Sequence, residues 1–153
     1  MKIISQILFA ALIALSAFQG RAESNKDYQI RFGILVRDKA GNLFVSEETT
    51  NIIFKLKGTG FRFGCEVTPP DEAKYTYQSI VHFPSPPLEI NGNFYAPNTK
   101  PNKDLVSGIA TIPTGKFYDV TSFDPGDPIG KLSMDIFING KLAKTITFNV
   151  RKD

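Results

Sequence analysis

Residues 130–150 read GKLSMDIFINGKLAKTITFNV, and this stretch decides the fold. Leu132, Met134, Ile136 and Ile138 alternate with Ser133, Asp135 and Phe137. Ile146, Phe148 and Val150 alternate with Thr147 and Asn149 beyond Asn139-Gly140. Period-two alternation marks a strand with one buried face, and Asn-Gly between two such runs marks a β-hairpin. The loop length then sets the faces. A two-residue loop would set Ile136 opposite Ala143 and Leu132 opposite Thr147, turning the second apolar set away from the first. A three-residue loop, Ile138-Asn139-Gly140 with Gly140 left-handed and a bulge after it, pairs Phe137 with Lys141, Ile136 with Leu142 and Leu132 with Ile146. Both apolar sets then share a face, so this second loop is the expectation.

Upstream the same period recurs. Tyr28, Ile30, Phe32, Ile34 and Val36 form one face of a first strand, which ends in the turn Asp38–Asn42. A shorter pair follows at Leu43–Ser46 and Ile52–Lys57, and Gly58 and Gly60 break the run. Phe61, Phe63, Cys65 and Val67 alternate with Arg62, Gly64 and Glu66, up to Pro69-Pro70-Asp71. Lys74–Phe83 places Tyr75, Tyr77, Val81 and Phe83 on one face. Leu105–Ile112 and Lys116–Phe123 are two further strands, and Asp124–Pro128 is a turn. Short strands punctuated by Gly and Pro, with no helical period, predict an all-β immunoglobulin-like antiparallel β-sandwich of about seven to nine strands.

The beginning of the chain reads differently. Lys2, the apolar run Ile3–Phe18 and the small residues Gly20 and Ala22 make up a secretory signal cleaved after residue 22. The run is shorter than the roughly 20 apolar residues of a bilayer span. The expected organisation is signal 1–22, a short lead at 23–27, and one domain at 28–153, in the periplasm or outside the cell. Removing 22 of 153 residues takes two of the 18 bases and none of the 15 acids, leaving 16 against 15, a net charge near +1. The bases do not cluster, which argues against nucleic acid. No second apolar stretch is long enough for a transmembrane segment. Cys65 is the only cysteine, so no internal disulfide can form.

Four blocks together resemble a known family. They are Thr59-Gly60-Phe61-Arg62-Phe63-Gly64, Val81-His82-Phe83-Pro84-Ser85-Pro86-Pro87-Leu88, Tyr118-Asp119-Val120-Thr121-Ser122-Phe123, and Gly130–Met134 running through Asn139-Gly140 to Phe148-Asn149-Val150. In this order, from about Phe32 onward, the chain resembles the small bacterial proteins of domain of unknown function family 3859. The resemblance implies a small β domain and carries over no functional residue.

Candidate chemistry is sparse. Cys65 shares the apolar face of its strand, where a thiol is inert. His82, the only histidine, lies on the face opposite Tyr77 and Val81; a Ser-His-Asp or Cys-His arrangement would have to use it, and no Gly-x-Ser-x-Gly elbow supplies the serine, so a hydrolase would need His82 or a carboxylate pair drawn together by the fold. Asp119, Asp124 and Asp127 bracket a turn and are a weak calcium set lacking the EF-hand spacing. The pairs Glu47-Glu48 and Asp71-Glu72 read as solvated. Pro84–Asp104 is long for a structureless connection and suits a recognition segment or an edge strand. Phe94 and Tyr95 within it are the candidate binding residues. The expected function is a non-enzymatic, cofactor-free binding or accessory domain of the bacterial envelope or exterior, with a protein or glycan partner. An inhibitor or effector, a self-assembling subunit and, last, a hydrolase are the alternatives.

Overall fold

A computed structural model describes residues 28–56, 58–88, 94–95 and 103–152, with 94–95 described by backbone pairing alone. The expected signal and lead lie outside these residues. Among the described residues eleven strands follow one another: β1 (Gln29–Arg37), β2 (Leu43–Glu48), β3 (Asn51–Ile53), β4 (Phe63–Thr68), β5 (Tyr75–His82), β6 (Phe94–Tyr95), β7 (Asp104–Ser107), β8 (Ala110–Ile112), β9 (Phe117–Thr121), β10 (Gly130–Ile138) and β11 (Lys141–Arg151). The sequence pattern anticipates up to nine. Leu105–Ile112 is two strands rather than one, because the chain leaves the sheet at Gly108 and Ile109; β7 pairs with one half of β5 and β8 with the other. The further strand, β6, lies inside the long connection and pairs with β7.

The strands make two sheets. The smaller has the order β2-β1-β4-β9; the larger runs β3-β11-β10-β5-β7-β6, with β8 beside β5. Pairing is antiparallel except between β3 and β11. Alternate residues of each sheet bury one face, giving a core in which Phe63 is central. Its ring lies 4.8 Å from that of Phe123 and within about 6 Å of Phe32 and Phe148. These rings occupy the space between the sheets, each contributing the large apolar area typical of an aromatic side chain. Gly33 and Gly64 face each other across β1 and β4. A Cβ on either would fall 1.9 Å from a backbone carbonyl oxygen, of Glu47 and of Asp119 respectively, so only glycine lets the neighbouring strands pass this close.

The closing hairpin corrects the expected loop. Ile138 pairs directly with Lys141, leaving Asn139-Gly140 as a two-residue loop with φ of 52° and 72°. Two consecutive left-handed residues are what a type I′ turn requires, and its twist matches the strands. The conflict of faces is resolved further along. Phe137 pairs with Leu142 but Ile136 with Lys144, so Ala143 is the extra residue of a bulge. Beyond it Met134 meets Ile146 and Leu132 meets Phe148, and both apolar sets point inward. Leu142 stays outside, 54% exposed. Asn139 also fastens the loop to β5: its N–H donates to Thr76 C=O, and Thr76 N–H donates to its Oδ1.

Candidate functional site

The long connection leaves the larger sheet at one end of the sandwich. Its neck is closed by Phe83 N–H donating to Lys103 C=O at 2.8 Å. Pro84, Ser85 and Pro86 are exposed and Leu88 is 80% exposed. Leu88 lies against Gly126, whose φ is 89°; a Cβ there would come within 2.4 Å of the Leu88 side chain. The connection thus starts out across the Asp124–Asp127 turn. That turn is held by Asp127 N–H donating to Asp124 C=O and by Asp124 N–H donating to Asp127 Oδ2 at 2.7 Å. Phe94 pairs with Ser107 and Tyr95 with Val106, which makes β6 the outermost strand of the larger sheet. Residues 89–93 and 96–102, Ile90 included, lie outside the described residues.

Behind this turn a cavity of about 80 Å³ opens between the sheets. Phe63, Leu105, Leu132, Met134 and Phe148 form its apolar walls. Thr121, Ser122, Asp124 and Asp127 give it a polar end. The Thr121 hydroxyl oxygen is buried and makes no hydrogen bond to the described residues. Burial, with the charge of Asp124, raises the Asp127 carboxyl above its usual range, against the opposing backbone bond.

The three aspartates of the calcium reading do not converge. Asp119 turns inward from β9, where Tyr77 Oη donates to its Oδ2 at 2.6 Å and Ser79 Oγ at 3.0 Å. Tyr77 and Ser79 belong to the other sheet, so this carboxylate pins the two sheets together. Burial raises its pKa although both hydroxyls work the other way. Asp127 is occupied by its own turn. Among the described residues no three His, Cys, Asp or Glu side chains are grouped to hold a metal ion. Cys65 lies in the core with its Sγ 3.8 Å from Met134 Sδ, and burial pushes the thiol far up.

His82 sits on the outer face of the larger sheet with both ring nitrogens engaged. Nδ1 is 2.8 Å from Asp104 Oδ1, and Nε2 is 3.0 Å from Asp135 Oδ2. Thr145 Oγ1 donates to the other oxygen of Asp135. The row ties β7, β5, β10 and β11 together. Burial disfavours the charged ring, but bonds to Asp135 and Asp104 and their charges outweigh it, and the pKa is raised. With each nitrogen facing a carboxylate, the ring is committed to a charge bridge and is not placed to take a proton from a hydroxyl.

A second polar cluster escaped the sequence reading. Glu66, on the outer face of the smaller sheet, is 2% exposed. Lys116 Nζ donates to its Oε1 at 2.7 Å, Val45 N–H donates to Oε2 at 3.3 Å, and Arg31 stands 4.0 Å away. Burial opposes the charge of Glu66, yet these donors prevail and hold its pKa below the usual value. Arg31 also bonds Glu48 at 2.7 Å. Strand alternation marks Glu66 as outward but carries no sign that Arg31 and Lys116 close over it.

Two sheets packed face to face, with no helix among the described residues, define an immunoglobulin-like β-sandwich protein. The family model of the PM0630 beta sandwich domain matches residues 30–151, and the chain belongs to that family. An immunoglobulin-like protein from Pseudomonas aeruginosa is similar in structure, with a TM-score of 0.53 and 16% identity over 80% of this chain and 92% of that chain. At that identity the likeness is one of fold. A Pseudomonas fluorescens alkylpurine DNA glycosylase bound to DNA containing an abasic site analogue overlaps at a TM-score of 0.37 and 7% identity, over 82% of this chain and 30% of that chain, too little to support an argument. No curated protein matches the chain. No helix among the described residues is long and apolar enough to cross a membrane.

Proposed function

We propose that this protein is an exported, non-catalytic binding domain of the bacterial envelope that docks another protein at the loop end of its sandwich. The observation that carries the reading is Leu88. It is a large apolar side chain, 80% exposed on a segment that lies against Gly126 of the Asp124–Asp127 turn. Loops on a rigid sandwich are a common place for recognition, and strand β6 in the same connection is outermost in the larger sheet among the described residues, an edge of the kind to which a partner strand adds. The signal-like residues 1–22 support export. The finer resemblance to domain of unknown function family 3859 belongs to the same proposal.

The experiment is a pull-down from an envelope extract of the source organism, read by mass spectrometry. The expected result is one stoichiometric protein partner. Alanine at both Phe94 and Tyr95 should abolish its capture while leaving Tm nearly unchanged. Undiminished capture by that variant would remove the connection from the interface, and a large fall in Tm would assign the two residues to the core.

A further inference from the structure

Where the chain crosses from β2 to β3, both sheets stop short on one flank. β2 covers β1 only at residues 33–37, and β3 covers β11 only at 149–151. Among the described residues, 29–32 of β1 and 142–148 of β11 therefore have no strand beside them on that flank. The bare length of β11 is a strand template. Asn149 N–H donates to Thr50 C=O and Phe54 N–H donates to Arg151 C=O, so these odd-numbered residues turn their backbone groups toward this flank. By alternation Thr147 and Thr145 aim N–H and C=O the same way, into a groove of about 570 Å³. Phe32 and Ile146, each 6% exposed, give the groove an apolar floor. Its charges are uneven. Glu48 is held by Arg31 at 2.7 Å. Lys144 Nζ donates to Ile30 C=O at 2.8 Å and meets no carboxylate among the described residues. We propose that this groove binds an extended peptide that adds to β11 as a further strand, with an apolar side chain over Ile146 and an acidic one, two residues on, against Lys144. The occupant follows from the shape. β1 and β11 flank the groove and the Thr49-Thr50 crossing closes one end, which leaves room for one chain but not for the two-sheet edge of a second copy. The protein's own residues 23–27, nearest β1 in sequence, hold no apolar side chain to fill it. The connection from β5 to β7 belongs to the opposite edge of the larger sheet. This site therefore stands or falls separately from docking at the loop end.

The probe is the blocked pentapeptide Thr-Val-Thr-Glu-Thr, which in antiparallel register sets its valine opposite Ile146 and its glutamate opposite Lys144. Titrated into nitrogen-15-labelled protein, it should shift the Thr145 and Thr147 amides saturably, with a Kd of about 1 mM, and slow their exchange with deuterium. Lysine in place of the glutamate should weaken binding about tenfold. Thr145→Pro removes a donor that faces the open flank, a change an edge strand tolerates. That variant should keep Tm nearly unchanged and lose the peptide. The proposal is overturned if the shifts drift linearly to about 10 mM, if the lysine peptide binds as well, or if folded Thr145→Pro binds like the wild type. Shifts of the same amides with the protein's own concentration, up to about 1 mM, would also overturn it by making a second copy the occupant. Should Thr145→Pro fold poorly, a peptide methylated on the backbone nitrogen of its third residue, which pairs with Thr145, still decides: undiminished binding would refute strand addition.

Discussion

At the scale of residues, His82 between Asp104 and Asp135 has a chemical consequence. A neutral imidazole donates from one nitrogen only, so one carboxylate would face a lone pair; the imidazolium satisfies both. The folded ring therefore holds its proton above the ordinary value of 6.5. A raised pKa in the folded state contributes stability that is complete below the unfolded value and is lost as pH climbs through the folded value. Tm should thus fall as pH rises from about 6 into the alkaline range, and His82→Gln should flatten that decline. Solvent reaches about a third of the ring, 36% by area, so the effect is a modest one. Parallel pH profiles for the two proteins in thermal melts would refute the bridge. The outer face chosen for His82 was legible from alternation. Its partners were not: they lie 22 and 53 residues away, and strand order, which no local pattern encodes, brings them to the ring.

At the scale of elements, the closing hairpin separates what turn chemistry decides from what burial decides. Asn139-Gly140 selects the two-residue loop, whereas the inward residues of β11 demand a register one step away. The bulge at Ala143 reconciles them. Deleting Ala143 should leave a regular ladder that keeps the apolar pairs Met134–Ile146 and Leu132–Phe148, with Tm changed by a few degrees. Inserting one alanine after Ala143 turns Ile146 outward or demands a second irregularity, and should lower Tm by roughly 10 °C or more. Thermal melts followed by circular dichroism compare the two; equal loss in both would mean that the bulge itself, rather than the register, is what the hairpin needs. The sequence pattern identified both strands, the turn residues and the shared apolar face. It placed the extra residue in the loop because a bulge several residues away leaves no mark in the alternation near Asn139.

At the scale of the whole molecule, the all-β sandwich was readable because the longer strands, β1, β4, β5 and β10 among them, carry their own period of two. The partition into two sheets was not, nor was the break at Gly108, since both depend on which strands meet. The candidate site divides in the same way. The Pro84–Asp104 connection stands out by its length and composition, while the cavity behind the Asp124–Asp127 turn arises from residues spread from Phe63 to Phe148. What joins the sheets is an aromatic core around Phe63 and the Asp119–Tyr77–Ser79 pin, with no covalent link.

Cys65, 0% exposed behind that core, thereby becomes a clock for the opening of the sandwich. An alkylating reagent such as iodoacetamide can reach the sulfur only in molecules whose sheets have parted. Its rate in native buffer should be slower than in denaturant by about the folding equilibrium constant, some 10³–10⁸-fold. Phe63→Ala, a loss of about 3–5 kcal/mol, should speed it by roughly 10²–10³-fold or more. Alkylation at the pace of a free thiol would mean that the sheets do not seal. If they do, a single mass measurement over time reports how often this protein comes apart.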